Sequence, residues 1–312
     1  MRKHERPLAE QLQQGLLSCE QKSFLLPGIS HPNRREIYVL QLIDSIRRVK
    51  FIKTILERNI HESRVSGLSE MFDPIRASIL YKRWGNIDEA CWLVFLFVHF
   101  GKHSVSGYRY IREVYSALGT RDPWTFNNTK SDIQGFREWL NDHEGEISRG
   151  DRRGFGNHRK YQSLSAYRRN GTGDAIASYI NWIEEYGGHS QLFNMAISST
   201  DGSPEESFRW LYRTMRNVIS FGRTARFDYL TMLGKLELAQ IRPDSAYLHG
   251  ATGPVEGASL MFQEARGERL AINELERRIG ILAGHLCVGM QEMEDSLCNW
   301  QKSPDIYIRF HG

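Results

Sequence analysis

Between Phe208 and Phe262 the chain turns sharply inside a pattern that is helical on both sides, and few folds accommodate that. The stretch reads FRWLYRTMRNVISFGRTARFDYLTMLGKLELAQIRPDSAYLHGATGPVEGASLMF. Phe208, Leu211, Tyr212, Met215, Val218 and Ile219 recur at helical spacing up to a break at Ser220-Phe221-Gly222. A second helical run restarts at once through Thr224, Ala225, Phe227, Leu230 and Leu233. Two helices joined by so short a glycine-containing turn form a helix–hairpin–helix. Such a turn leaves backbone N–H groups of the second helix without intrahelical partners. With the positive end of the helix dipole, those groups make a phosphate site out of Ser220, Gly222, Arg223, Thr224 and Arg226. The same pattern also fits an ordinary corner between two helices, so the hairpin alone leaves both readings open.

Residues beyond the hairpin sharpen the choice. Ile219-Ser220-Phe221-Gly222-Arg223-Thr224-Ala225 resembles the hairpin of helix–hairpin–helix DNA glycosylases, Gly234 falls where their second helix ends, and Asp244 follows Pro243. That resemblance implies a catalytic Asp shortly after the hairpin, and Asp244 is the residue at that place. The sequence departs from the pattern in three ways: Ser220 replaces a glycine, one residue is missing before Thr224, and Asp244 comes a few residues late.

A second resemblance covers roughly residues 30 to 310. Gly250-Ala251-Thr252-Gly253-Pro254-Val255-Glu256-Gly257-Ala258, Phe155-Gly156-Asn157-His158-Arg159-Lys160-Tyr161 and the stretch from Met293 to Ser303 resemble the third clade of the α-glutamyl/putrescinyl-thymine pyrophosphorylase family. Ile43 to Val49 and Trp92 to His103 fit the same clade. The resemblance implies a DNA-glycosylase-like protein of phages or bacteria that acts on hypermodified pyrimidines. Some members are thought to transfer amines or amino acids onto an activated thymine, and others to excise modified bases in antiviral defence.

The 312 residues leave room for one large domain or two packed lobes, and strand signals are sparse throughout. The expected fold is therefore all-α, helix–hairpin–helix DNA-glycosylase-like, with two packed helical lobes. Residues 1–33 read as an N-terminal helical extension and 34–312 as one domain, with lobes at about 34–150 and 151–312. A net charge of +4 permits nucleic-acid binding through a local patch without requiring it. Cys19, Cys91, Cys287 and Cys298 lie far apart, so neither a disulfide framework nor a structural metal site is expected, and the iron–sulfur cluster of some glycosylases cannot be built. No cofactor is expected. The charged start is followed by no apolar core of a signal peptide, and the apolar run from Ala90 to Phe100 is too short to span a bilayer, so a cytoplasmic protein is expected.

Along the chain, a long helix is expected from Arg35 to Arg58, with Asp44 and Arg48 at pairing distance on it. Asn86 or Asp88 can cap an all-apolar helix that Gly101 ends, with Lys102 and His103 complementing its dipole. Further helices are expected at Tyr108–Leu118, Ser131–Leu140, Asp174–Tyr186, Pro204–Ser220 and, as one piece, Leu270–Trp300. Residues 141–156 are polar and glycine-rich and read as a loop. Arg152, Arg153, Arg159, Lys160, Arg168 and Arg169, interleaved with Phe155, Tyr161 and Tyr167, suit phosphate contacts with base stacking, or simply a solvated loop.

An enzyme acting on a base within duplex DNA must extrude the nucleotide into a pocket. Asn157, His158 and Tyr161 are candidates to line it, as are Thr252 and Gly253. Cleaving the N-glycosidic bond builds positive charge on the sugar, so a carboxylate beside C1′ is needed. Asp244 is the first candidate and Asp228, inside the second hairpin helix, the second. Lys235 is a candidate amine nucleophile, and Glu292 or Glu294 would suit an amine transfer; all three rank below the aspartates. The expected partner is double-stranded DNA carrying modified pyrimidines, as in phage genomes. Three functions follow: a glycosylase, an amine transferase acting on activated 5-hydroxymethyl-pyrimidine, and a DNA-binding module without catalysis.

Overall fold

Caps and breakers written into the sequence set where the helices begin and end. The structure, a computed structural model, describes residues 3–150, 154–263 and 270–309. In chain order the α-helices are α1 (Arg6–Lys22), α2 (Pro32–Glu57), α3 (Pro74–Arg83), α4 (Ile87–Phe100), α5 (Arg109–Tyr115), α6 (Phe126–Ser131), α7 (Ile133–Ile147), α8 (Thr172–Glu185), α9 (His189–Ser198), α10 (Pro204–Thr214), α11 (Arg223–Lys235), α12 (Gly253–Phe262), α13 (Ile272–Leu286) and α14 (Met290–Trp300). Among the described residues there is no strand, and the fold is all-α. Asn86 caps α4 by accepting from Glu89 N, and Asp73 and Ser203 cap α3 and α10 in the same way.

One long helix over Leu270–Trp300 does not form. Cys287 takes a left-handed conformation (φ 53°), Val288 N donates to Ala283 O at 3.2 Å, and Gly289 opens α14. That closure satisfies the last carbonyls of α13 as a glycine cap ordinarily would. The Asp44–Arg48 pairing also gives way. Arg48 pairs with Asp295 across to α14, while buried Asp44 accepts from Arg47 and from the Tyr307 hydroxyl at 2.6 Å.

The chain groups into two compact units, one of residues 1–54 and 243–312 and the other of residues 55–242. The first unit is built from α1, most of α2, and α12 to α14. Leu12, Leu16, Tyr38, Ile279, Leu282, Met293 and Trp300 are fully enclosed in its core, each apolar side chain contributing roughly 1.5–3 kcal/mol on burial. α1 and α13 cross closely, because a Cβ on Gly15 would stand 2.7 Å from His285 O. Ser18 and Ser23 take up both ring nitrogens of His285 at 3.1 and 2.9 Å.

In the second unit α4 is the central rod, with every residue from Ala90 to Leu96 inaccessible to solvent. A helix apolar all round is stable only when other helices cover it on every side. α3, α5, α6, α9 and α11 do so. Among the described residues of this unit, the acidic side chains of Asp73, Glu89 and Glu113 are buried. Glu89, 3% exposed, accepts from the Tyr115 hydroxyl at 2.7 Å and Phe126 N at 2.8 Å, tying α4 to α5 and α6. Burial pushes its carboxyl up to about 7.

Candidate functional site

The last turn of α4 is where the second unit gathers its charged groups. Gly101 ends the helix at φ 68°, and the backbone at Gly156 comes against it so tightly that a Cβ on Gly156 would stand 2.9 Å from Gly101 Cα. Gly156 N donates to Phe100 O at 2.7 Å, which lays the 157–159 turn over the end of α4. Arg159 then points inward. Its Nε donates to Val98 O at 2.8 Å, where the helix dipole favours a cation. Its Nη2 stands 3.6 Å from Asp228 Oδ2 on α11, and its guanidinium lies 6.0 Å from the Phe221 ring. Phe221 stacks on Phe95 at 4.8 Å, so α4, the 155–159 segment and the corner before α11 share one packed junction.

Buried guanidinium groups are costly unless partnered. Arg159 is only 8% exposed, and its Nη2 has no hydrogen-bond partner, so its pairing with Asp228 is a loose ion pair rather than a fork. Asp228 has a double character: protein crowds it, yet 46% of its side chain stays open to solvent. Burial pushes its carboxyl above the usual range, against the opposing pull of Arg159 and of His158, Lys235 and Arg223. Water on the open side limits what that rise costs the fold. The carboxylate is therefore a reachable charge set in a cationic surround.

The corner itself is made of Val218 to Gly222. Ser220 holds φ 63°, a left-handed conformation that favours glycine, and its hydroxyl donates to Asn170 O at 2.7 Å. Ile219 N donates to Ser178 Oγ at 2.9 Å, fixing the corner to α8. Gly222 is different. Its φ is −68°, it is exposed, and a Cβ placed there would meet nothing within 4 Å. Among the described residues, neither conformation nor packing requires a glycine at 222. It also gives α11 no side-chain cap, so the positive end of that dipole lies at exposed Gly222 and Thr224.

The arginines of the corner are held by aromatic rings. Arg223 lies 4.9 Å from the Phe227 ring, and Arg226 lies 4.2 Å from the Tyr212 ring while donating to Tyr212 O. Lys160 and Tyr161 form an exposed cation–π pair at 5.0 Å, with Tyr161 89% open, and His158 is exposed beside them. The side chain of Asn157, and Arg152 and Arg153 entirely, lie outside the described residues.

Beneath the corner runs a hydrogen-bonded chain that sequence reading missed. His189 Nδ1 donates to Asp88 at 2.6 Å, Tyr179 donates to His189 Nε2 at 2.7 Å, and Tyr229 donates to the Tyr179 hydroxyl at 2.8 Å. Burial pushes the imidazole down and keeps it neutral, while its hydrogen bond holds Asp88 below the usual carboxylate range. Tyr229 follows Asp228 on α11, so this chain fastens that helix to α4, α8 and α9. His99 is a further buried neutral imidazole, pushed down to about 3 by burial and by the charge of Arg159. It meets Thr172 Oγ1 at 3.0 Å. His103 turns back to cap its own loop by accepting from Ser106 N at 3.1 Å.

The first unit holds the other aspartate. Asp244 Oδ1 accepts from the Tyr247 hydroxyl at 2.7 Å, and Tyr247 sits at φ 51°, a strained position for an aromatic residue. Glu276 grips this segment by accepting from Ala246 N at 3.2 Å and, more tightly, from Leu248 N. Ala246 and Leu248 are fully buried, which leaves the Asp244 loop pinned on both sides of the strained tyrosine. Thr252 is exposed at the start of α12. A Cβ on Gly253 would stand 2.7 Å from Cys298 Sγ, and one on Gly257 2.3 Å from Leu297 O, so both glycines let α12 lie against α14.

Among the described residues no group of three or more His, Cys, Asp or Glu could hold a metal ion, and no helix is long and apolar enough to cross a membrane. No curated protein and no solved structure matches this chain. One family does, with a profile that covers residues 33–312 and runs through the α4 end, the 155–161 segment, the corner and the Asp244 loop. The chain therefore belongs to the alpha-glutamyl/putrescinyl thymine pyrophosphorylase family, clade 3.

Proposed function

We propose that the protein is a DNA glycosylase that flips a hypermodified pyrimidine out of phage DNA and releases it, leaving an abasic site, as a cytoplasmic antiviral defence. The observation that carries this reading is Gly222, a bare, exposed glycine that packing among the described residues does not require, at the start of α11, which has no side-chain cap. A strand can bring a phosphate against such a helix start without a side chain in the way. The flipped nucleotide then needs a carboxylate at its sugar. Asp244 takes that part, since Tyr247 and Glu276 hold its loop in one conformation before substrate arrives. Asp228, open to solvent and ringed by cations, is the second candidate.

In the reaction the C1′–N1 bond breaks and its electron pair leaves with the base. Positive charge grows on the sugar beside the carboxylate, and water adds its oxygen to C1′. The proton from that water ends on the departing base or the solvent. His158 and Tyr161 are the proposed contacts to the base, and Lys160 joins Arg223 and Thr224 in contacting the backbone.

The family description favours a second reading, in which an amine displaces pyrophosphate from the activated 5-methylene of a thymine in DNA. There a C–N bond forms as the C–O bond to pyrophosphate breaks, and the glycosidic bond stays intact. Mass spectrometry of nucleosides and free bases, after incubation with phage genomes carrying different pyrimidine modifications, separates the two. Free modified base with alkali-labile sites supports excision. A mass gain on a base still attached to its sugar supports transfer, and DNA binding with neither product reduces the protein to a binding module.

A further inference from the structure

The corner does not stand alone on its surface. Ser220 is bonded to Asn170, the last residue before Gly171 in a loop that carries Tyr167, Arg168 and Arg169 outward, all exposed. We infer that this loop is a second phosphate-binding element, latched to the corner, and that Arg168 and Arg169 grip the backbone of the same duplex. The inference rests on the reading that the corner binds DNA.

The loop is held as firmly as a secondary-structure element. Ser165 Oγ accepts from Arg168 N at 3.2 Å, Gly171 N donates to Arg168 O at 2.8 Å, and Thr172 N donates to Ser163 O at 2.9 Å. It also sits directly on the start of α8, where a Cβ on Gly173 would stand 2.0 Å from Ala166 O. From below, Arg137 reaches Ala166 O at 3.2 Å and Asp174 at 2.8 Å, and Asp174 in turn accepts from Asn170 N at 3.0 Å. The carboxylate under the loop is thereby neutralised from inside. Arg168 and Arg169 have no ion-pair partner among the described residues, so their charge faces outward uncompensated.

A rigid loop with two unpaired guanidinium groups, bonded to an uncapped helix start, suits a polyanion with regularly spaced charges. Because the backbone is already fixed, binding orders only the two side chains. The Ser220–Asn170 bond sets the distance between the two contacts and hence the register of the strand.

The test compares duplex binding by the wild-type chain and by an Arg168→Gln/Arg169→Gln variant across a salt series. Two lost phosphate contacts should make the slope of log K against log salt shallower by about 1.8, and an Arg168→Lys/Arg169→Lys variant should restore it. Both side chains are exposed, so melting curves should superimpose and show that the fold is intact. An unchanged slope overturns the inference, as does a wild-type chain that binds no duplex. Ser220→Ala should weaken binding about fivefold, on the scale of one ordinary hydrogen bond, with the slope retained; unchanged affinity would overturn the latch. Absence of base release by the wild-type chain would sink the excision reading while leaving this comparison standing.

Discussion

Two of the helices that begin at a glycine, α11 and α12, put it to opposite uses. At the start of α12, Gly253 and, one turn on, Gly257 are bare because α14 lies where their side chains would be. At the start of α11, Gly222 is bare with open space in front of it. The same residue type thus marks packing in one unit and exposure in the other. A glycine packed against a neighbouring helix is explained by that helix, whereas Gly222 leaves open space at the start of α11, which is what the proposed function uses.

The contrast can be broken in several ways. The largest effect belongs to Asp244, whose loop leads into α12. Asp244→Asn should cut base release by about 10²–10³-fold while leaving DNA affinity as it was, in a single-turnover assay beside a binding titration. Wild-type turnover would move the chemistry to Asp228.

Next comes a pH effect deep in the second unit, which bounds the conditions under which the corner can be assayed. The Glu89 carboxyl is raised in the folded chain from 4.5 to about 7, so the fold favours its protonated form. Its contribution is full below 4.5 and is lost as pH rises through 7, a swing of about 3 kcal/mol. Chemical denaturation across that range should show stability falling as pH rises, and Glu89→Gln should flatten the profile.

The glycines themselves give the sharpest pair. Gly257→Ala pushes a methyl group into Leu297 O and should destabilise by about 1–3 kcal/mol, visible as a lower melting temperature. Gly222→Ala should leave melting unchanged or slightly raised, since a compatible alanine removes freedom only from the unfolded chain. It should nonetheless weaken duplex binding about tenfold, the scale of one charge-assisted hydrogen bond. A variant at 222 that melts early and binds normally would reverse the comparison.

Much of the scaffold was legible because single residues declare it. Asn86, Pro204 and Gly101 mark helix ends by their own chemistry, and α4 announces its burial by being apolar on every face. What stayed hidden depended on partners distant in sequence. Arg159 reads as a surface cation until Val98 O and Asp228 are seen on either side of it. The Asp88–His189–Tyr179–Tyr229 chain draws one residue from each of four helices, and no spacing rule connects them. The break at Cys287 was missed because a left-handed cysteine carries no sequence signature, although Gly289 nearby was a hint. Ser220 was legible as a departure from the glycine pattern, but not the Asn170 carbonyl that receives its hydroxyl.

That chain of side-chain hydroxyls and imidazole has a mechanical consequence. Because Tyr229 is moored through Tyr179 and His189 to Asp88, α11 cannot roll about its long axis without parting a bond. The bearing of Asp228 and of the Gly222 end is thereby locked to the neighbouring helices. Under the proposed function, a strand settling on this surface would meet a fixed anvil and would itself have to supply whatever bending the encounter demands.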